Sequence, residues 1–232
     1  MVSITKTGSD SDWVRARKPE QIEERRAAIL DAATELFAEV DYSEVSLNAI
    51  ARSAGFTKSN VYRYFSSREE IYLVLFLDEY RAWIERLIAC LDQLPAESNA
   101  DQISTSFVNE MLSHKRLLNL APQLALSLER YSSEEAVLEF KLELAELGNR
   151  LAPAWARHLP GATDEDLGFL HGVIHALAAG LWPLCNPSET VLRILARPEL
   201  SSIKMDFSPL MERAISAMIK EIRNKPGNDE GT

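Results

Sequence analysis

The stretch VSLNAIARSAGFTKSNVYRYF, residues 45–65, constrains this 232-residue chain most. Its apolar residues recur at helical intervals, but in runs too short for one long helix. Ser46 predicts an N-cap, its hydroxyl accepting from the first free amides. Leu47, Ile50 and Ala51 then fall on one face. Gly55 stands where a helix end favours positive φ. Phe56 closes the turn, and Thr57 caps a second helix that carries Val61, Tyr62, Tyr64 and Phe65. Two helices this short bury little alone and must pack on a third. Joined by a short glycine-containing turn, they predict a helix-turn-helix, whose second helix can enter the DNA major groove.

The first turn of that second helix holds Thr57, Lys58, Ser59 and Asn60, all polar and short or cationic. Lysine and asparagine can read guanine and adenine edges. Tyr62 and Arg63, one turn on, can reach phosphates through a hydroxyl and a guanidinium.

The surrounding pattern is more specific than the turn itself. Ile29, Ala32, Ala33, Leu36 and Phe37 precede it. Ile50-Ala51, Ala54-Gly55, Tyr62, Tyr64-Phe65 and Arg68-Glu69-Glu70-Ile71 continue it. Residues 29–71 so composed resemble the N-terminal domain of the TetR family of bacterial transcriptional regulators. The resemblance implies a DNA-binding domain in which Ser46, Asn48, Thr57, Lys58, Ser59, Asn60, Tyr62, Arg63, Tyr64 and Arg68 are the candidate DNA contacts. One departure is Asp41, where the family usually has glycine. Aspartate tolerates the left-handed conformation, so a costlier helix end is expected, and the same fold.

Charge qualifies this expectation. The chain carries a net charge of −10, which argues against general coating of nucleic acid. From Trp13 to Glu70 the balance is −1, which leaves −9 on the remainder. DNA binding then depends on a few placed contacts and on docking two copies, and is steeply salt-dependent.

The remaining order follows from helical periodicity. Residues 1–19 are polar and predict a disordered arm, with Arg15, Arg17 and Lys18 as a small basic cluster. Glu20 to Val40 predicts an amphipathic helix with Ile22, Ile29, Ala33, Leu36, Phe37 and Val40 as its stripe. Ser67-Arg68-Glu69-Glu70 is an S-x-x-E capping box before a long helix to about Leu94. Arg68 is a cation where the helix dipole favours an acid, a cost that a DNA phosphate would offset.

Further helices are predicted from Asp101 to Leu112, from Leu117 to Leu128 with a bend at Pro122, and from Ser132-Ser133 to about His158. Thr163 opens another through Leu181, and Ser208-Pro209 opens the last, to Ile222. Asn186 to Phe207 reads as loop with one short helix, Glu189 to Leu195. Residues 225–232 predict a disordered tail. The fold class is all-α with about nine helices: a helix-turn-helix domain over 20–66 and a larger helical domain over 67–224.

Two copies about one helical turn of DNA apart, ~34 Å, multiply affinity and site length. The two most apolar late helices, 163–182 and 208–222, are the candidates to pair across a twofold axis as a four-helix bundle. The resemblance implies the same pairing. It also implies a pocket for a small-molecule inducer, for which Trp83, Phe107, Met111, Trp155, His171, His175 and Trp182 are candidate walls.

Other classes find less support. His171 and His175 are spaced i, i+4, as two metal ligands can be, with His158 and Cys185 as imaginable partners; no glutamate follows His171, so the H-E-x-x-H pattern is absent. Cys90 and Cys185 read as buried free thiols. No nucleophile–base–acid set and no glycine-rich phosphate loop appears, so no enzyme activity and no cofactor are expected. Leu167 to Ser188 carries no formal charge over 22 residues, but its His, Pro and Asn content predicts a buried helix ending near Pro183 rather than a membrane span. The expectation is a cytoplasmic, dimeric regulator that binds a palindromic double-stranded operator and is released by an inducer, without membrane attachment. The alternative is a helical protein-interaction module without operator binding.

Overall fold

A computed structural model describes residues 19–39, 42 and 44–225. The expectations for Asp41, for the Arg15–Lys18 cluster and for most of both tails fall outside these residues. Among the described residues the fold is all-α, with ten α-helices and no strand. The chain divides between Tyr64 and Phe65 into two units.

The first unit comprises α1 (Pro19–Glu39), α2 (Leu47–Ser53) and α3 (Lys58–Val61). α2 packs on both α1 and α3. Ile29, Ala33, Val45, Ile50 and Val61 are buried to 1% exposure or less, which gives two very short helices a shared core. Ile22 departs from the expected stripe and is 45% exposed. It lies seven residues before Ile29, roughly 10 Å along the axis, beyond the reach of so short a pair.

The second unit begins with α4 (Arg68–Gln93), α5 (Ala100–Ser113) and α6 (Lys115–Gln123). It continues with α7 (Glu134–Ala156), α8 (Asp164–Cys185), α9 (Glu189–Leu195) and α10 (Phe207–Arg223). α4 packs on α5, α6 and α7, while α8 packs on α6 and α10, and α10 also on α5. Pro122 inside α6 is followed by a π-helical turn, Leu124–Leu128. Proline lacks the N–H for an i−4 bond, so the expected bend takes the form of a widened turn.

Side chains set the helix starts. Ser67 accepts from the Glu70 amide at 3.1 Å, but the Glu70 carboxylate turns to Ser66 rather than Ser67, accepting from its N–H and Oγ at 2.5 Å each. The capping box is therefore half made, with the neighbouring serine taking the other half. Thr163 and Asp166 form a complete box at the start of α8.

Two expected caps shift. Ser133, not Ser132, caps α7, while Ser132 Oγ donates to the Leu128 carbonyl at 2.7 Å. α10 starts at Phe207 with Asp206 before it, so Ser208 lies inside the helix. Phe207 is 4% exposed, and its burial draws the helix start back past Ser208.

α8 is the largest correction. It runs through Pro183 to Cys185 and is not a buried helix. It is long and apolar enough to cross a membrane by length and composition, yet only 28% of its most apolar 18-residue window is buried. Phe169, Gly172, Ala176, Gly180 and Leu184 are exposed. Their spacing puts them on one side of the helix. The opposite side, Leu170, Ile174 and Ala178, is buried.

Candidate functional site

The first unit builds its candidate nucleic-acid interface from two capped helices. Ser46 Oγ accepts from the Ala49 amide at 3.1 Å, and Thr57 Oγ1 from the Asn60 amide at 3.3 Å. Each such cap stabilises a helix by about 1 kcal/mol, a large share for helices of seven and four residues. Gly55 holds φ +73° between them. Its amide donates to the Arg52 carbonyl at 3.1 Å, and the Phe56 amide to the Ala51 carbonyl at 2.7 Å. The turn is thus closed by backbone bonds that need a left-handed residue at Gly55.

α3 is short, but its coil continues through Tyr64. The Arg63 amide donates to the Asn60 carbonyl at 3.2 Å, and the Tyr64 amide to the Val61 carbonyl at 2.9 Å. Val61 is fully buried and pins this coil from below. Thr57, Lys58, Ser59, Tyr62 and Arg63 are exposed together, with Asn60 and Tyr64 half-buried. Ser46 and Asn48 are exposed at the start of α2. Lys58 Nζ lies 5.7 Å from the centre of the Tyr62 ring, which is 51% exposed. The structure therefore gathers the nine candidates of this unit as polar groups on a short, firmly based coil and on the helix before it.

Arg68, the tenth candidate, begins α4 in the second unit. Its guanidinium lies on Glu69, with Nη2 at 2.8 Å and Nε at 3.1 Å from Oε1. Glu69 and Glu70 also put two acids in the first turn of α4. The expected cost of a cation at this helix start is therefore offset within the chain, and Arg68 needs no phosphate to explain its position.

The second unit holds a small cavity of about 40 Å³ with one open side. α4 contributes Phe76, Tyr80 and Trp83, and α5 contributes Phe107 and Met111. Leu117, Leu118 and Ala121 come from α6 and Leu151 from α7. His171, Ile174, His175 and Ala178 come from α8. Five of the seven candidate wall residues meet here. Tyr80 and Phe76 were missed from sequence, although they precede Trp83 by three and seven residues on the same stripe of α4. The aliphatic walls carry no signal that separates them from ordinary core.

The other two candidates, Trp155 and Trp182, do not line it. Trp155 is fully buried behind the wall, stacked on Phe107 with ring centres 5.9 Å apart. Trp182 lies near the end of α8, where its indole N–H donates to Asn119 Oδ1 at 2.7 Å and its ring meets the edge of Phe207. Both indoles have polar partners, Asn119 for Trp182 and the wall residue His171 for Trp155.

The histidine pair lies in the wall without forming a metal centre. His171 Nε2 accepts the Trp155 indole N–H at 2.8 Å, so that lone pair is already used. Burial pushes the His171 pKa down to about 4 and lowers that of His175 as well. Among the described residues no group of three or more potential metal ligands comes together. His158 is instead tied by Nε2 to the Leu91 carbonyl at 2.9 Å. Cys90 and Cys185 are half-buried free thiols rather than fully buried ones, and burial raises the pKa of both.

A third surface completes the inventory. The exposed side of α8 adjoins that of α10 in a groove where Phe169, Ala217 and Met218 lie among the charged Glu165, Asp166, Glu221 and Lys225. Phe169 is 55% exposed and Leu210 38%.

Comparison with known proteins places these features in one group. Residues 77–224 match the model of the tetracyclin repressor-like C-terminal domain, and residues 29–75 that of the bacterial regulatory proteins of the tetR family. An uncharacterized HTH-type transcriptional regulator of Mycobacterium tuberculosis is 43% identical over 61 residues, 26% of this chain and 29% of that protein. A fatty acid metabolism regulator protein of Bacillus subtilis is 37% identical over 59 residues, 25% of this chain and 30% of that protein. The match thus spans less than a third of either relative. The crystal structure of the TetR family repressor AlkX from a Dietzia strain, implicated in biodegradation of n-alkanes, superposes with a TM-score of 0.52. It covers 85% of this chain and 95% of its own at 15% identity, which is a likeness of fold.

Proposed function

This chain belongs to the TetR family of bacterial regulatory proteins, a family of helix-turn-helix transcriptional regulators, and from that premise we propose that it is a homodimeric repressor of a palindromic operator, released by a small, largely apolar inducer. The observation that carries this is the position of α4. It starts four residues after Tyr64 and supplies Phe76, Tyr80 and Trp83 to the cavity wall. A molecule entering the cavity acts on the helix to which the DNA-binding unit is directly joined.

The mechanism is a population shift. The inducer binds better to a conformation in which the two recognition segments are wrongly spaced, and operator affinity falls by the same factor. The exposed apolar sides of α8 and α10 support pairing of two copies. Gly172, Ala176 and Gly180 are small enough to let a second helix approach closely, and Phe169 and Leu184 beside them are apolar side chains that a partner would bury. Thr57, Lys58, Ser59, Asn60, Tyr62 and Arg63 would contact the duplex, with Ser46, Asn48, Tyr64 and Arg68 on phosphates. The protein would act in the cytoplasm, without cofactor or catalytic step. The B. subtilis and Dietzia proteins are named for fatty acid and n-alkane metabolism, which agrees with an apolar effector.

The test is fluorescence anisotropy with DNA from upstream of the protein's own gene, at two salt concentrations, alongside sedimentation of the free protein. A salt-sensitive complex of two protomers per site is expected. A monomer, or no salt-sensitive complex, would refute the proposal and favour an interaction module that docks on protein.

A further inference from the structure

The connection between α8 and α10, residues 187–206, is folded but has no core of its own. It contains α9 and a 3-10 turn, Pro198–Ile203, and none of its described residues is buried. α9 packs chiefly on that turn. Val191, Leu192, Ile194, Ile203 and Met205 are each between 37% and 59% exposed. A helical segment with this much bare apolar surface gains from being covered.

Its place in the fold says what can cover it. The segment springs from the two helices proposed to pair between copies, and the exposed Leu184 and Leu210 carry their apolar sides up to its two ends. Within one chain α8 and α10 run antiparallel. Lys225 bonds Asp166 at one end, and the Trp182 ring meets Phe207 at the other. The segment stands at the Trp182 end. The groove of Phe169, Ala217 and Met218 lies at the Asp166 end, roughly 24 Å away along α8.

Charge decides how two copies meet. Asp164, Glu165 and Asp166 open α8, so a parallel pairing would set the same acids against each other. An antiparallel pairing about the middle of α8 instead brings each α9 segment to the groove of the other copy. Asp166 is held by Lys225, but Glu165 and Glu221 stand exposed on that groove and make no ion pair among the described residues. On the segment Arg193 is paired with Glu189 at 3.8 Å, whereas Arg197 and Lys204 are exposed and make none. Two cations beside bare apolar side chains thus match two acids around an apolar floor.

We propose that residues 187–206 are a clasp: two copies pair antiparallel along α8, and the α9 segment of each lies over the Phe169–Met218 groove of the other, with Arg197 and Lys204 facing Glu165 and Glu221. The proposal rests on the reading that two copies pair through α8 and α10, and it adds which way they run and what else holds them.

The test reverses charge on each side separately and then mixes the two. One variant carries Arg197→Glu with Lys204→Glu, the other Glu165→Lys with Glu221→Lys. Each contact occurs twice in a twofold dimer, so sedimentation equilibrium is expected to show the dimer dissociation constant of either variant raised about tenfold. An equimolar mixture of the two variants is expected to return to within about threefold of the parent, because every contact in the mixed dimer again joins opposite charges. A third variant, Leu192→Ser with Ile194→Ser, is expected to lose about tenfold through apolar burial alone. All six side chains are exposed or half-exposed in the protomer, and circular dichroism checks that each variant keeps its helices.

A weakened pair that mixing does not restore would place the contact within one chain and overturn the clasp. A parent dimer that none of the variants weakens would overturn it too, while leaving pairing through α8 and α10 intact. A monomeric parent would sink both.

Discussion

The indole N–H of Trp155 donates to Nε2 of His171 across 2.8 Å, joining α7 to α8 through a neutral imidazole. The imidazole is neutral because burial lowers its pKa from the ordinary 6.5 to about 4. As pH falls, an unfolded chain therefore takes up this proton before the folded one does. The stabilisation is complete above about pH 6.5 and is lost between there and pH 4, by roughly 3 kcal/mol at most. His175, also lowered by burial, adds in the same direction. Asp166, held near 2 first by Lys225 and then by Thr163, acts only below its ordinary 3.8 and leaves this window alone. His171→Gln keeps an acceptor for Trp155 but cannot titrate. Urea unfolding at pH 7.5, 6 and 5 is expected to show a shallower loss of stability for this variant than for the parent.

Lys58 and Arg63 occupy different positions on the exposed coil and are expected to differ in kind. Lys58→Ala should change the preferred operator sequence, because its side chain leaves the first turn of α3 where base edges are read. Arg63→Ala and Arg68→Ala should weaken all sites by similar factors and reduce the salt slope by about one each. Selection from randomised operators at two salt concentrations checks the split. Identical preference profiles for all three variants would count against it.

Gly55 offers a test of the turn alone. A Cβ added there meets nothing within 4 Å, yet φ is +73°. Gly55→Ala is therefore expected to cost the first unit about 1–2 kcal/mol through backbone conformation, without a clash. Gly55→Asn should cost less, since asparagine tolerates this region better. Hydrogen exchange of the α2 amides reads the effect on that unit directly.

Phe169 stands on the exposed side of α8, beside Ala217 and Met218 of α10. Phe169→Glu removes an exposed apolar side chain and adds an acid beside Glu165 and Glu221, and is expected to raise the dimer dissociation constant at least about tenfold through lost apolar burial and like-charge repulsion. Sedimentation equilibrium measures it. Because the side chain is already exposed in the protomer, secondary structure by circular dichroism should be unchanged.

What local chemistry dictates was legible in the chain itself. Ser46 and Thr57 cap helices, Gly55 takes the left-handed turn, and Leu47, Ile50 and Val61 face inward, because each depends on neighbours within four residues. Glu189–Leu195 was legible for the same reason. What depends on distant partners was not. An indole reads alike in sequence at Trp83, Trp155 and Trp182, and only the packing of α4, α7 and α8 makes the first a cavity wall, the second a buried strut and the third a bond to Asn119. The apolar run of α8 announced burial, but which of its sides lies bare was settled by α6 and α10 covering the other. Hydrophobic periodicity measures how much surface must be hidden; the tertiary arrangement chooses what hides it.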